Sequence, residues 1–561
     1  MDAEGKIRAK IWTVIAAAVG LAIVAGYWGR PAYRNAKEKR AAAQAQAFLE
    51  HGDYRSALLS TRQALMINSN NVQACRVMAG LADAAHSPAT LDWCQRVVKL
   101  SPTVTNKLLL ASAGLRYQSP PYPLTTQMLD DLSRSADALP DFHIVSAQLA
   151  LALHHMAEAQ AQFEAACRLD PTNRIDQLNL AVVRLGATNA AMAADARATL
   201  KQFSSDANLG PPALRSLIAD RLLHDDASGA LDYSKQLLAG PQAGLNDRLQ
   251  HLGILKHLHS PELAGQLNAL QENSTTNALM TAQVATWMAD NGYLTEATAW
   301  LNRLPAGLQT QPPVRLALAD CYLAGENWPA LRDFASNGSW AEMEFMRLAI
   351  LSRAWAKLGE PVVADGNWNS AVSEAADQLG ALNALLELAG RWDMKPEQED
   401  LLRRILRKFP DASWARQDLE LLYFASGNTR GLYQLYSEWL PLLPQNAELK
   451  SNVAATALLL KTNLTLACAQ AAEAYAQSTN SPAVVSTYAY ALHLQGRDDD
   501  GLAALQKLDR PALEQPSVAL YYGVLLSATG KTSEALPFLQ LAQTQGRLLP
   551  EEKQLLAETL K

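Results

Sequence analysis

From Pro31 onward apolar residues recur at steps of three and four, and no segment keeps the strict alternation of a half-buried strand. The pattern predicts an all-α chain after that point. Its helical stretches are broken at regular places. Aligned on those breaks, Gly52, His86, Pro120, His154, Thr188, Asp225, His259, Gly292, Gly325, Gly359, Asp393, Gly427, Lys461, Gly496 and Gly530 follow at steps of 34, 34, 34, 34, 37, 34, 33, 33, 34, 34, 34, 34, 35 and 34. A step of that size marks a repeat architecture, in which each unit buries its apolar face only against its neighbours. The spacing therefore predicts a solenoid of fifteen helical hairpins.

The residues around the turns have physical reasons. Ala147 and Ala159, or Gly523 and Ala535, lie twelve apart, midway along one helix and at the start of the next, where two backbones must approach closely. Glycine before the second helix supplies the positive φ of a helix C-terminal cap. Asp170-Pro171 closes a second helix because proline cannot continue it. Three stretches depart from this scheme: the rigid Ser119-Pro120-Pro121-Tyr122-Pro123, a lengthened turn at Asp393-Met394-Lys395-Pro396, and Gly240-Pro241, which is expected to accompany the single 37-residue step. Residues 548–561 begin with Leu548-Leu549-Pro550-Glu551-Glu552, with proline and two acids in a first turn, and read as a capping helix over the last hairpin.

Around these turns the sequence resembles the tetratricopeptide repeat. The first unit reads Gly52-Asp53-Tyr54, Ala57-Leu58, Ala64-Leu65, Ile67 and Asn70-Asn71. Another reads Ala147, Met156, Ala159, Phe163, Ala166, Leu169 and Asp170-Pro171-Thr172-Asn173, and the last reads Gly523, Gly530, Glu534-Ala535-Leu536, Leu539 and Ala542. The resemblance covers residues 38–547, is clear in some units and degenerate in the rest, and implies a right-handed α-α superhelix.

Ahead of the repeats, residues 11–28 carry no charge and reach roughly 27 Å as a helix, enough to cross a bilayer core. Trp12, Tyr27 and Trp28 stand at its ends, as interfacial aromatics do. One transmembrane helix is expected here, after a tail at 1–10 and before a short basic connector at 29–37. A cleaved signal peptide is the competing reading, with Val24-Ala25-Gly26 as its cleavage site, but bulky aromatics follow it. Lys6, Arg8 and Lys10 precede the span and five bases follow it, which by the positive-inside rule keeps the large domain in the cytoplasm. The cost of moving a tail with three fixed charges across the membrane opposes this, and the balance favours a single-pass protein with its large domain outside the cytoplasm.

Composition narrows the function classes. Of 561 residues 49% are hydrophobic and 19% charged, so the chain can bury a large core. The first forty residues hold eight Lys or Arg against three acids, leaving 41 bases and 52 acids, a net −11, for the remainder. That is a poor footprint for nucleic acid. The five cysteines form no CxxC pair; Cys75 and Cys94 fall on the two helices of one repeat and could meet, yet buried free thiols are the common fate of lone cysteines.

Candidate chemistry is thin. Ala528-Thr529-Gly530-Lys531-Thr532 imitates the end of a phosphate-binding loop but lacks its earlier glycine, at Leu525, and its preceding strand. Asp498-Asp499-Asp500 reads as a solvated helix start. Eight of ten histidines fall near the turns inside repeats, and His224, Asp225, His257 and His259 have zinc-ligand chemistry, but imidazole also favours helix C-termini. No nucleophile or metalloprotease motif occurs, so no catalytic residue, cofactor or metal site is assigned.

The resemblance implies instead that the wall formed by the first helices binds a peptide or protein segment. In this register Arg315, Tyr322, Arg353, Trp414, Leu421, Phe424, Tyr490 and His493 take exposed first-helix places, where Arg would meet acidic groups and aromatics would give rigid contact area. Ordinary interhelix packing is the competing role for each. The expected function is a membrane-tethered interaction scaffold, similar to bacterial inner-membrane proteins that join one anchor to such repeats and assist envelope assembly, translocation or polysaccharide export. Two other readings stay open: an accessory subunit or degenerate enzyme with a site near residues 103–140 or 385–412, and a structural protein that self-associates through its outer face.

Overall fold

The computed structural model describes residues 30–561, and all regular elements among them are helices. The tail and the expected span at 11–28 lie outside the described residues; among those described, no helix is long and apolar enough to cross a membrane. The helices pair into fifteen hairpins, here numbered from the one that turns at Gly52 to the one that turns at Gly530. The chain divides into two compact units, residues 1–274 and 275–561, holding hairpins 1–7 and 8–15.

The turns share one mechanism. In hairpin 10 Gly359 adopts φ +86°, and the next amide, of Glu360, reaches back to the Trp355 carbonyl over 3.0 Å. This is the left-handed closure that satisfies the last carbonyls of a helix. His86 (φ 50°), Asp225 (φ 56°), Asp393 (φ 55°) and Lys461 (φ 54°) do the same, with the following amide bonding Ala82, Arg221, Ala389 and Ala457. Asp393 therefore closes an ordinary turn and not the lengthened one expected. In hairpin 9 the left-handed residue is Glu326 and not Gly325, and in hairpin 3 it is Tyr122. Asx side chains open many of the following helices: Asp53 accepts from the Ser56 amide over 3.0 Å and Asn71 from that of Ala74 over 2.8 Å. The extra residues of the 37-residue step lie in the loop at 204–209, where Asp206 accepts from the Asn208 and Leu209 amides, and not at Gly240-Pro241.

The first helix runs from Arg30 to Glu50, so the connector expected at 29–37 is helical from Arg30 and belongs to hairpin 1. Arg34 donates to the Ile67 carbonyl, and buried Glu38 accepts from both Asn68 and Asn71 at the end of the second helix. Polar partners inside the hairpin fix this stretch.

Within each unit each second helix packs on the first helix of its own hairpin and most pack also on the first helix of the next, while some successive first helices touch directly. Small residues set the distance: Ala147 and Ala159 are fully buried, and a Cβ on Gly523 would lie 2.7 Å from Leu539. One continuous apolar core in the second unit extends from Ala349 to Leu556. The last helix, Pro550–Thr559, seats Leu549 and Leu556 in that core, as a capping helix should.

Candidate functional site

A groove of about 560 Å³ opens in the second unit along the first helices of hairpins 8 to 11, Ala278–Asp290, Pro312–Ala324, Glu344–Lys357 and Leu379–Arg391. Its polar lining is Asp290, Asp320 and Glu326 against Arg353, Lys357 and Arg391, and Trp328 and Trp392 supply flat apolar area. Each ring carries a cation: the Arg353 guanidinium lies 5.5 Å from the Trp392 ring and Lys357 Nζ 5.8 Å from Trp328. Arg391 stands between Asp320 at 3.8 Å and Glu387 at 3.5 Å, both pairs being exposed and weak. Asp320 keeps 62% of its side chain open to water, yet the surrounding walls raise its carboxyl above the usual range, with Arg391 opposing.

Arg353 differs from its neighbours. It is half-buried, no carboxylate among the described residues lies within ion-pair distance, and its Nε is buried without a hydrogen-bond partner. Desolvation lowers its pKa, but a guanidinium stays charged. Other arginines are answered by carboxylates: half-buried Arg197 makes a bidentate pair with Asp220 at 2.7 and 2.8 Å and exposed Arg215 with Asp247 at 2.8 and 2.9 Å, while Arg184 and Arg221, whose Nε atoms are likewise buried without a partner, pair with Glu164 and Asp226. A half-buried guanidinium over tryptophan with no carboxylate beside it has the chemistry to take a planar anion at its open edge.

The remaining residues expected on the wall divide. Arg315 is half-buried over Trp340, at 5.3 Å from the ring, and Tyr322 donates to Asn302 over 2.9 Å while packing on Phe334. Trp414 packs against the core from a half-buried place. Leu421 and Phe424 are exposed, at 66% and 40%. Tyr490 is not exposed: only 6% of its surface is open, its ring lies 5.1 Å from that of Tyr521, and Glu552 and Glu558 of the last helix are near enough to raise its hydroxyl further after burial has done so. His493 is half-buried with Nδ1 2.6 Å from Asp498. Only Arg353 of the eight lines the groove, and Asp320, Lys357, Arg391, Trp328 and Trp392 are additions that the sequence reading missed. The Asp320–Arg391 pairing bridges two hairpins, a separation that no local pattern signals.

The other candidates take structural places. Gly530 sits in a turn between two helices at φ +81°. His224 Nδ1 lies 2.7 Å from the Asp220 carbonyl, and among the described residues no group of three or more His, Cys, Asp and Glu is placed to hold a metal ion. Cys75 and Cys94 are free, buried thiols, and burial raises both, Cys94 to about 11. Residues 103–140 and 385–412 are built mainly from helices of ordinary hairpins.

No family model matches the chain, and no curated protein matches it. Solved structures with similar helical arrays include the APC/C hetero-tetramer Cut9–Hcn1, at 13% identity over 82% of this chain and 98% of that one, with a TM-score of 0.30. Naa15/Naa10 bound to HypK-THB aligns at 12% identity over 91% and 69%, with a TM-score of 0.27. The C-terminal part of a tetratricopeptide repeat-containing protein from Cytophaga hutchinsonii aligns at 15% over 40% and 94%, with a TM-score of 0.25. The hairpins of this chain, their step near 34 residues and their small-residue contacts fit the tetratricopeptide pattern on their own account.

Proposed function

We propose that this chain is a protein-binding scaffold and not an enzyme, and that the groove of hairpins 8 to 11 takes an acidic segment of a partner protein. The observation that carries the reading is Arg353, whose buried Nε lacks a partner while the guanidinium stacks on Trp392. A partner carboxylate would pair with the guanidinium through its Nη groups, which are not buried as the Nε is, and Trp328 and Trp392 give rigid contact area beside it. Arg391 and Lys357 stand at the rim as further cations, while Asp290, Asp320 and Glu326 restrict the acidic segment to a register in which its own charges avoid them. Partner capture by the intact chain and by Arg353→Gln tests the assignment.

Membrane tethering belongs to the same proposal and rests on the sequence, through the uncharged span at 11–28 and its flanking bases and aromatics. The anchor places the scaffold beside a bilayer, with its repeats outside the cytoplasm. Retention of the chain in membranes after an alkaline carbonate wash, and a reporter fused to its C-terminus, test those two parts separately.

A further inference from the structure

A cavity of about 290 Å³ lies between hairpins 11 and 12, walled by their second helices, Lys395–Lys408 and Thr429–Trp439, and by the start of the first helix of hairpin 12, Ser413–Ser426. Arg403, Arg407 and Arg416 line it against one acid, Glu438, and Leu435 and Trp439 are among its apolar walls. Three bases to one acid is a departure in a chain of net charge −6. The groove at Arg353, by contrast, sets three bases against three acids.

The bases at the end of Lys395–Lys408 have an ordinary reason to be there, since cations suit the negative end of a helix dipole. Arg404 and Lys408 pair with Asp377, at 3.7 and 2.8 Å, and take no part in the cavity. Arg403 is held by Glu399 over 3.1 Å and lies 5.6 Å from the Tyr423 ring. Arg407 is exposed, with no carboxylate among the described residues within ion-pair distance. The dipole does not account for Arg416. It stands in the fourth place of Ser413–Ser426, near the positive end of its own helix, where a cation is disfavoured. There it is half-buried, donates to the Pro410 carbonyl and lies 5.8 Å from the Trp439 ring, again with no carboxylate among the described residues within ion-pair distance. Glu438 is exposed and pairs with none of the three arginines.

We propose that this cavity binds the phosphoryl group of a phosphate monoester, with an apolar body of the ligand against Trp439 and Leu435. Arg407 and Arg416 offer two guanidiniums that no carboxylate answers, which match the charge of about −1.5 to −2 on a monoester near neutral pH better than the single charge of a carboxylate. Guanidinium forks bond phosphate oxygens in pairs, and the apolar walls strengthen those bonds by keeping water from them. Glu438 opposes any anion that enters and so restrains the affinity. The cavity shares no lining residue with the groove at Arg353 and does not depend on that reading.

The test titrates the full chain with phenyl phosphate, inorganic phosphate and benzoate by calorimetry, near neutral pH and at constant ionic strength. Phenyl phosphate should bind at least about tenfold more tightly than benzoate, which has the same ring and one charge. It should also bind several-fold more tightly than inorganic phosphate, which has no apolar body. Arg407→Gln and Arg416→Gln should each weaken phenyl phosphate about tenfold, and Glu438→Gln should tighten it a few-fold. Arg407 is exposed and outside any ion pair among the described residues, so its variant serves if Arg416→Gln, which also loses the Pro410 contact, disturbs the fold. No binding of phenyl phosphate, or binding indifferent to Arg407→Gln in a folded chain, would overturn the proposal. Equal binding of inorganic phosphate would overturn it in favour of a free-phosphate site, and equal binding of benzoate in favour of a carboxylate site.

Discussion

The Tyr521 hydroxyl donates to Glu552 Oε1 over 2.7 Å inside the core of the last hairpin, and the same carboxyl accepts from the Leu549 amide over 2.8 Å. Burial raises the Glu552 pKa above its usual value of 4.5, the two hydrogen bonds oppose this, and neighbouring Glu551 adds to it. The other ionisable groups facing it are Tyr521 and Tyr490, both pushed further from ionisation. For an acid, a folded-state pKa above the unfolded one means that the fold favours the protonated form. The stabilisation is full below about 4.5 and is lost as pH rises through the folded value. The last helix should therefore exchange its amides faster at pH 7 than at pH 5 after correction for intrinsic rates. Glu552→Gln keeps one of the two acceptor oxygens and removes the charge, so it should flatten that dependence; an unchanged dependence would show that Glu552 is not its origin.

The turn geometry makes an opposite pair of substitutions informative. Gly359, at φ +86° with open space where a methyl would project, should lose roughly 1 kcal/mol on change to Ala from backbone strain alone. His86, at φ 50°, should gain about 0.5–1 kcal/mol on change to Gly, net of the added freedom of the unfolded chain. Urea unfolding reads both. A loss at His86→Gly would mean that the imidazole makes a contact worth more than the strain.

Close backbone approach gives a third prediction. A methyl at Gly523 would fall 2.7 Å from Leu539 and 3.4 Å from the Ala535 carbonyl oxygen, so Gly523→Ala should cost roughly 1–3 kcal/mol. Hydrogen exchange in Thr532–Gln545 should rise with it. A neutral result would mean that Leu539 swings aside without loss.

Much of the fold was legible because its period is long and its turn chemistry is strict: His86, His154, Asp225, His259 and Lys461 stand where Gly52 and Gly530 stand, and all take positive φ. The same fact accounts for several turn histidines better than a preference for helix C-termini alone does, since histidine is among the few non-glycine residues enriched in that conformation. The cap at Pro550 was legible from proline and acids in a first turn. Its reach to Thr429 was not, because a contact over 122 residues leaves no local trace. Tyr490 lies inside and not on the open wall for the same kind of reason, although the uninterrupted apolar run from Val518 to Leu526 signals a neighbouring helix with no open face. Of the groove, Arg353 was readable from its place on a first helix, whereas its lack of an acidic partner depends on which side chains converge from three other hairpins.

The central claim is that a partner's carboxylate meets Arg353 in the groove of hairpins 8 to 11. The most direct measurement places a photo-crosslinking residue at Glu326, on the groove, and separately at Val362, an outer second-helix position that is 83% exposed, in chains carrying Arg353 or Arg353→Gln. One protein should be captured from Glu326 and not from Val362. Its yield should fall about tenfold or more with Arg353→Gln, since a desolvated charged contact is worth roughly 1.5–3 kcal/mol, while helicity and melting temperature stay unchanged. Equal capture from both positions, or capture from Glu326 that is indifferent to Arg353→Gln in a folded chain, would contradict the account.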